Sequence, residues 1–220
     1  MDMYKQLLED LAKYNAQLIA VSKTKPNEQI LELYNEGQRA FGENRVQELL
    51  GKYEALPKNI EWHLIGHLQT NKVKYVVPFV HLIHSIDSLK LLKEVQKQGA
   101  KLDKKINVLL QMHIATEESK FGLDQRELVE ILEFYTASPS PFTHVNICGL
   151  MGMATFTDDR TQVQTEFKVL KDVFDFCKSS YVLNDSFKEI SMGMSGDYQL
   201  AVKEGSTMVR VGSLLFGSRN

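Results

Sequence analysis

Short apolar runs alternate with amphipathic stretches along nearly the whole chain. QLIAVS (17–22) is apolar and β-branched, and helical spacing follows over 27–37. RAFGEN (39–44) precedes a helical pattern over 46–56, and EWHLIG (61–66) precedes one near 72–77. HLIHSID (81–87) leads into an amphipathic stretch over 88–100, with Ser88 as predicted N-cap and Gly99 as predicted stop. INVLLQMHI (106–114) precedes a helix over 124–137, capped by Asp124 and broken by Ser-Pro-Ser-Pro. VNICGLMGM (145–153) precedes a helix over 161–180. EISMGMS (189–195) precedes a short helical piece over 197–205, and TMVRVGSLLFG (207–217) is the final run.

Eight strand candidates, repeating at about the length of one βα unit, predict an α/β fold. Their continuous apolar character suits a parallel sheet covered on both faces. No break in composition interrupts the series, so one (β/α)8 TIM-type barrel domain over 1–220 is predicted. An amphipathic segment ahead of the first strand, with Leu7, Leu8, Leu11 and Tyr14 on one face, predicts an extra N-terminal helix. A doubly wound open sheet is the competing fold, but no GxGxxG follows any strand.

Composition narrows the function classes. Of 220 residues, 26 are Lys or Arg and 28 Asp or Glu, for a net charge of −2. That balance, with basic residues scattered among acids, argues against nucleic acid or a membrane surface as partner. No apolar run has the length of a membrane span, and the acidic, amphipathic start is no signal peptide, so a cytoplasmic protein is expected. Cys148 and Cys177 lie in apolar contexts without CxxC spacing and read as buried reduced thiols. His63 and His67 sit four apart in a strand-like segment without the glutamate of HExxH, and His81 and His84 flank another apolar run. Structural or pocket-lining histidines are expected, and no metal.

In such a barrel, chemistry collects at the carboxyl ends of the strands. Lys23 ends the first strand, where partial desolvation favours the neutral amine that attacks aldehydes; the alternative is a lysine snorkelling to solvent. Lys25 has the same parity but lies further into the loop, where it is expected to be solvated. Ser195 and Gly196 form the turn after strand seven, and Gly212 and Ser213 follow strand eight, where such barrels often bind phosphate. These are also ordinary turn residues. Arg210, inside the last strand, must be paired, and a structural salt bridge is the competing reading. The segment after strand five holds Glu117, Glu118 and Lys120 and reads as a solvated loop, with Lys120 a candidate for a part in ligand release.

AVSKTKP, FGENRVQE, EWHLIGHLQTNK, CGLMGM, SMGMSGD and GSTMVRVGSLLFG resemble, in order, the signature stretches of the pyridoxal phosphate homeostasis protein family, single-domain relatives of the alanine racemase N-terminal barrel. The resemblance runs from about residue 18 to 217. It implies pyridoxal 5′-phosphate held as an internal Schiff base on Lys23, not Lys25. It further implies phosphate ligands at Ser195, Gly212 and Ser213, Arg210 facing the pyridine nitrogen, and Asn44 as a wall of the pocket. Where the family often has threonine after the VRxG glycine, Ser213 keeps the hydroxyl.

An arginine can only donate, so the ring nitrogen it faces stays unprotonated and the electron sink is weak. Alanine-type racemases compensate with a lysine and an opposing tyrosine, the latter from a second domain of the partner subunit. This chain is expected to lack that domain, so the resemblance implies a cofactor carrier in vitamin B6 homeostasis, without robust turnover. The expected carrier is a monomer, with apo-enzymes that use pyridoxal phosphate as possible partners. A single-domain amino-acid racemase is the alternative, and a cofactor-free Schiff-base aldolase using Lys23 is a third reading.

Overall fold

The computed structural model describes residues 2–117, 121–181 and 183–217. Eight parallel strands close into a barrel in chain order: β1 Gln17–Val21, β2 Ala40–Glu43, β3 Glu61–Leu64, β4 Leu82–Ile86, β5 Ile106–Met112, β6 Val145–Gly152, β7 Glu189–Met194 and β8 Met208–Val211. Pairing of Ala20 with Val211 joins the first strand to the eighth. The helices are α1 Asp2–Ala12, α2 Asn27–Asn35, α3 Val46–Ala55, α4 Val73–Val76, α5 Leu89–Lys101, α6 Gln125–Thr136, α7 Arg160–Ser180, α8 Tyr198–Lys203 and α9 Ser213–Phe216.

Strand parity sorts the chain into two cores. Inside the barrel, Ile19, Ala40, Leu82, Leu109, Cys148, Met151 and Met208 interdigitate. Outward positions such as Ala20, Phe41, Trp62, Leu64, Ile83 and Leu110 pack against the helices. Both cysteines are buried free thiols, and burial pushes Cys148 up to about 11 and Cys177 up to about 12. They are therefore protonated and unreactive at neutral pH.

Local signals set the starts of the longer helices α5, α6 and α7. Ser88 Oγ accepts the backbone N–H of Leu91, and Asp124 forms a full capping box with Glu127. Asp124→Ala is expected to cost about 1 kcal/mol in urea unfolding.

Three expectations are corrected. Gly99 does not stop α5, which runs on to Lys101. A Cβ at Gly99 would lie 2.8 Å from the Lys104 carbonyl oxygen, so the glycine serves close packing. α1 buries Tyr4, Leu7 and Leu11 and leaves Leu8 exposed, because it packs through a narrow face, and it ends at Ala12, so Tyr14 lies beyond it and is exposed. The last run carries a helix that its pattern did not predict: β8 ends at Val211, ahead of Gly212 as expected, and α9 begins at Ser213.

Candidate functional site

The carboxyl ends of β7, β8 and β1 are neighbours around the ring, and they carry the candidate anion donors and the candidate amine. Lys23 lies two residues beyond Val21 and is half-buried. A Cβ on Gly212 would come within 3.1 Å of the Val21 carbonyl oxygen, so glycine lets the end of β8 press against the end of β1. The Gly212 N–H donates to Ser195 Oγ at 3.2 Å, which ties the turn after β7 to the turn after β8.

Gly193 makes the β7 turn possible. Its φ is +92°, and the register of β7 against β8 shifts between Ser191 and Met194, so the strand bulges there, pairs again at Met194 with Arg210, and brings Ser195 beside the end of β8. Gly196 faces open space and Ser213 is exposed at the start of α9. Among the described residues, no backbone partner takes the N–H of Gly196 or Ser213.

Arg210 points into the barrel and is 4% exposed. Its guanidinium donates to Ser191 Oγ at 2.6 Å and to the Gly152 carbonyl at 2.9 Å. Both acceptors are neutral, and no carboxylate lies in salt-bridge range among the described residues, so the structural salt bridge weighed as its alternative role is not found. Burial lowers its pKa to about 10, with Asp197 acting against that from a distance. The group stays charged at neutral pH without a salt-bridge partner among the described residues. Ser191 Oγ also meets His84 Nδ1 at 2.9 Å, and His84 Nε2 meets His63 Nδ1 at 2.8 Å, so a chain of polar side chains crosses the barrel interior below Arg210.

Asn44 follows β2. A Cβ on Gly66 would lie 2.4 Å from the Asn44 carbonyl oxygen, so the end of β3 packs directly on the Asn44 backbone. The side-chain Oδ1 of Asn44 is buried without a hydrogen-bond partner among the described residues.

The two lysines separate clearly. Lys25 is not solvated as expected: its Nζ donates to the Phe216 carbonyl at 2.9 Å and the Gly217 carbonyl at 3.4 Å, at the C-terminal end of α9. A polar cluster that the sequence reading missed holds the Lys23 loop from outside the barrel. Lys52 Nζ, on α3, donates to the Ser22 carbonyl (2.7 Å), Glu43 Oε1 (2.7 Å) and Glu48 Oε1 (2.6 Å). Ser22 Oγ donates to Glu43 Oε1 at 2.6 Å. The backbone N–H of Thr24, whose φ is +64°, donates to Glu48 Oε1. Burial raises the Glu43 pKa, against the pull of Lys52 and Ser22. A charged residue at an outward position of a buried strand end was the available signal.

His67 pairs with Asp87 at 2.9 Å and stacks on Phe121 across the β3–β5 side of the mouth. Glu118 and Lys120 lie outside the described residues.

The site therefore offers an amine, a two-turn donor cradle and a donor-only guanidinium in a buried setting. Residues 4–220 match the family model described as alanine racemase, N-terminal domain. The chain is 42% identical over 205 residues to a pyridoxal phosphate homeostasis protein of Aquifex aeolicus, covering 93% of this chain and 87% of that one. It is similar to the solved structure of PipY from Synechococcus elongatus with PLP bound, at 36% identity and TM-score 0.80, covering 95% of this chain and 99% of that chain. An alanine racemase from Bartonella henselae with covalently bound pyridoxal phosphate shares the fold, at 20% identity and TM-score 0.75, with 98% of this chain covering 60% of that one.

Proposed function

We propose, from the premise that this chain belongs to the pyridoxal phosphate homeostasis protein family, that it binds pyridoxal 5′-phosphate and acts in vitamin B6 homeostasis, anchoring the cofactor on Lys23. The residues present fit the group. Among the described residues, Asn44 Oδ1 is an orphaned buried acceptor, and no salt bridge to the buried Arg210 is found. The turns at Ser195–Gly196 and Gly212–Ser213 offer backbone and hydroxyl donors of the kind that hold a phosphate ester. When bound, pyridoxal phosphate supplies an aldehyde that condenses reversibly with a primary amine.

Lys23 provides that amine, with its loop fixed through Ser22 and Thr24. Ser195, Gly212 and Ser213 bind the anionic end. Arg210 orients the ring from inside the barrel and, with a pKa of about 10, keeps its protons at neutral pH, so it donates a hydrogen bond and does not protonate the ring. Asn44 closes the wall. Lys25 is occupied by α9 and is not the anchor.

The observation that carries the reading is Arg210: a buried guanidinium whose hydrogen bonds among the described residues go to a hydroxyl and a carbonyl, below a mouth ringed by donors. A weak electron sink beside a donor-only partner favours holding and release of the cofactor over turnover. The proposal includes a cytoplasmic monomer of one domain that passes the cofactor to apo-enzymes. No helix among the described residues is long and apolar enough to cross a membrane.

Borohydride reduction of the loaded protein, followed by peptide mapping, is expected to place the pyridoxyl adduct on the peptide of Lys23. An adduct confined to Lys25, or none, overturns the anchor. Arg210→Met is expected to retain less cofactor through gel filtration, by a factor on the order of ten.

A further inference from the structure

We propose that Glu61, His63 and His81 form a binding site for a divalent first-row transition metal of the zinc class, at the amino-terminal end of the barrel and apart from the mouth. Spacing along the chain gives no metal motif for these residues; closure of the sheet brings them together. Glu61 and His63 are two apart on β3 and point to the same side. His63 pairs in register with Leu82 of β4, and His81 comes just before Leu82. The His81 N–H donates to the Trp62 carbonyl at 2.9 Å, which fixes its backbone beside β3. One ligand atom from each of the three side chains lies within 4.8 Å of the others.

A tetrahedral zinc shell, with metal–ligand bonds of about 2.0–2.2 Å, spaces its ligands about 3.4 Å apart. Side-chain rotation of Glu61 and His81, which lie nearer the surface, closes the difference.

An independent observation points to a ligand. His63 is fully buried, and its Nε2 has no hydrogen-bond partner among the described residues. Its other nitrogen, Nδ1, lies 2.8 Å from His84 Nε2. A histidine that binds metal through one nitrogen and donates its other ring N–H to a fixed acceptor is the usual second-shell arrangement. With the Nδ1 proton donated to His84, the buried Nε2 of His63 keeps a lone pair open for a ligand. Neither the Glu61 carboxylate nor the His81 imidazole has a hydrogen bond or ion pair among the described residues.

Donor chemistry sets the class of ion. Two imidazoles and one carboxylate suit zinc, cobalt or nickel, whereas calcium and magnesium need more oxygen ligands than the cluster offers. Glu61 and His81 line a cleft that also holds Lys104 and Lys105. Lys104 Nζ is tied to the Val77 and Pro78 carbonyls. These cations oppose loosely held ions and leave binding to inner-sphere ligation. The cleft is open, so water completes the shell.

Equilibrium dialysis of the metal-depleted full chain against Zn²⁺ alone, without pyridoxal phosphate, tests the site independently of the mouth. One saturable equivalent is expected, and Co²⁺ in its place is expected to give the strong visible bands of a tetrahedral site. His81→Ala and Glu61→Gln, both at positions that reach solvent, are each expected to weaken zinc at least on the order of tenfold. His144→Ala, beside Asp103 elsewhere on the surface, is expected to leave it unchanged. No saturable binding, wild-type affinity in both ligand variants, or equal loss in His144→Ala overturns the assignment.

Discussion

Lys52→Met is expected to lower the unfolding free energy by about 3–5 kcal/mol, the typical cost of removing one partner of a buried ion pair. Glu43 is fully buried, and its Oε1 takes bonds from both Lys52 and Ser22 while Oε2 has none. Without the lysine, a carboxyl already raised by burial loses its counter-charge. The folded protein then favours the neutral acid more strongly, so the loss is expected to shrink as pH is lowered toward the carboxylate range. The double variant Lys52→Met/Glu43→Gln removes both charges, keeps an acceptor for Ser22, and is expected to recover most of the stability. Urea unfolding of the four proteins in the cycle measures the coupling. A double variant no more stable than the single one sinks the ion-pair account. The same change frees the Ser22 carbonyl and Glu48, so faster loss of pyridoxal phosphate is expected alongside it.

Stability is also expected to fall steeply with mild acid. Burial lowers His63 to about 3 and His84 well below its ordinary value, with neighbouring histidines, and Arg210 for His84, adding to the effect. Both imidazoles are therefore neutral in the folded protein, while in the unfolded chain they titrate near 6.5. Their contribution is fully present above that value and is lost as pH falls toward the folded pKa. Each proton taken up by the unfolded chain costs about 1.36 kcal/mol per pH unit. At pH 5 the pair removes about 4 kcal/mol, a large share of a typical domain's stability. Glu43 runs the other way, its raised pKa favouring the fold as pH drops, but with one proton against two. Urea unfolding in metal-free buffer at pH 7, 6 and 5 checks this, and His84→Gln is expected to halve the slope. A flat profile rules out the neutral pair.

Periodicity read the barrel well because most strand positions are apolar, whichever face they occupy, and the longer helices are apolar on one face. The strand-end rule placed Lys23, Asn44, Ser195, Arg210, Gly212 and Ser213 at or just below the mouth. What stayed hidden depends on contacts across the chain. Lys52 reads as an ordinary surface lysine on an amphipathic helix, and only the packing of α3 on β2 turns it onto Glu43. Glu61 and His81 are twenty residues apart and meet only through the register of β3 with β4. Lys25 could not be separated from Lys23 by parity, since the carbonyls that hold it belong to residues 191 and 192 positions away.

The seam between β1 and β8 has a kinetic meaning. The proposed anchoring amine and much of the proposed phosphate cradle come from opposite ends of the described chain, so on that proposal the vitamer has no complete receptor on a ribosome until the eighth strand emerges and zips to the first. A ligand gripping both sides then acts as a clasp on the ring, and by mass action its presence holds nascent molecules in the finished topology.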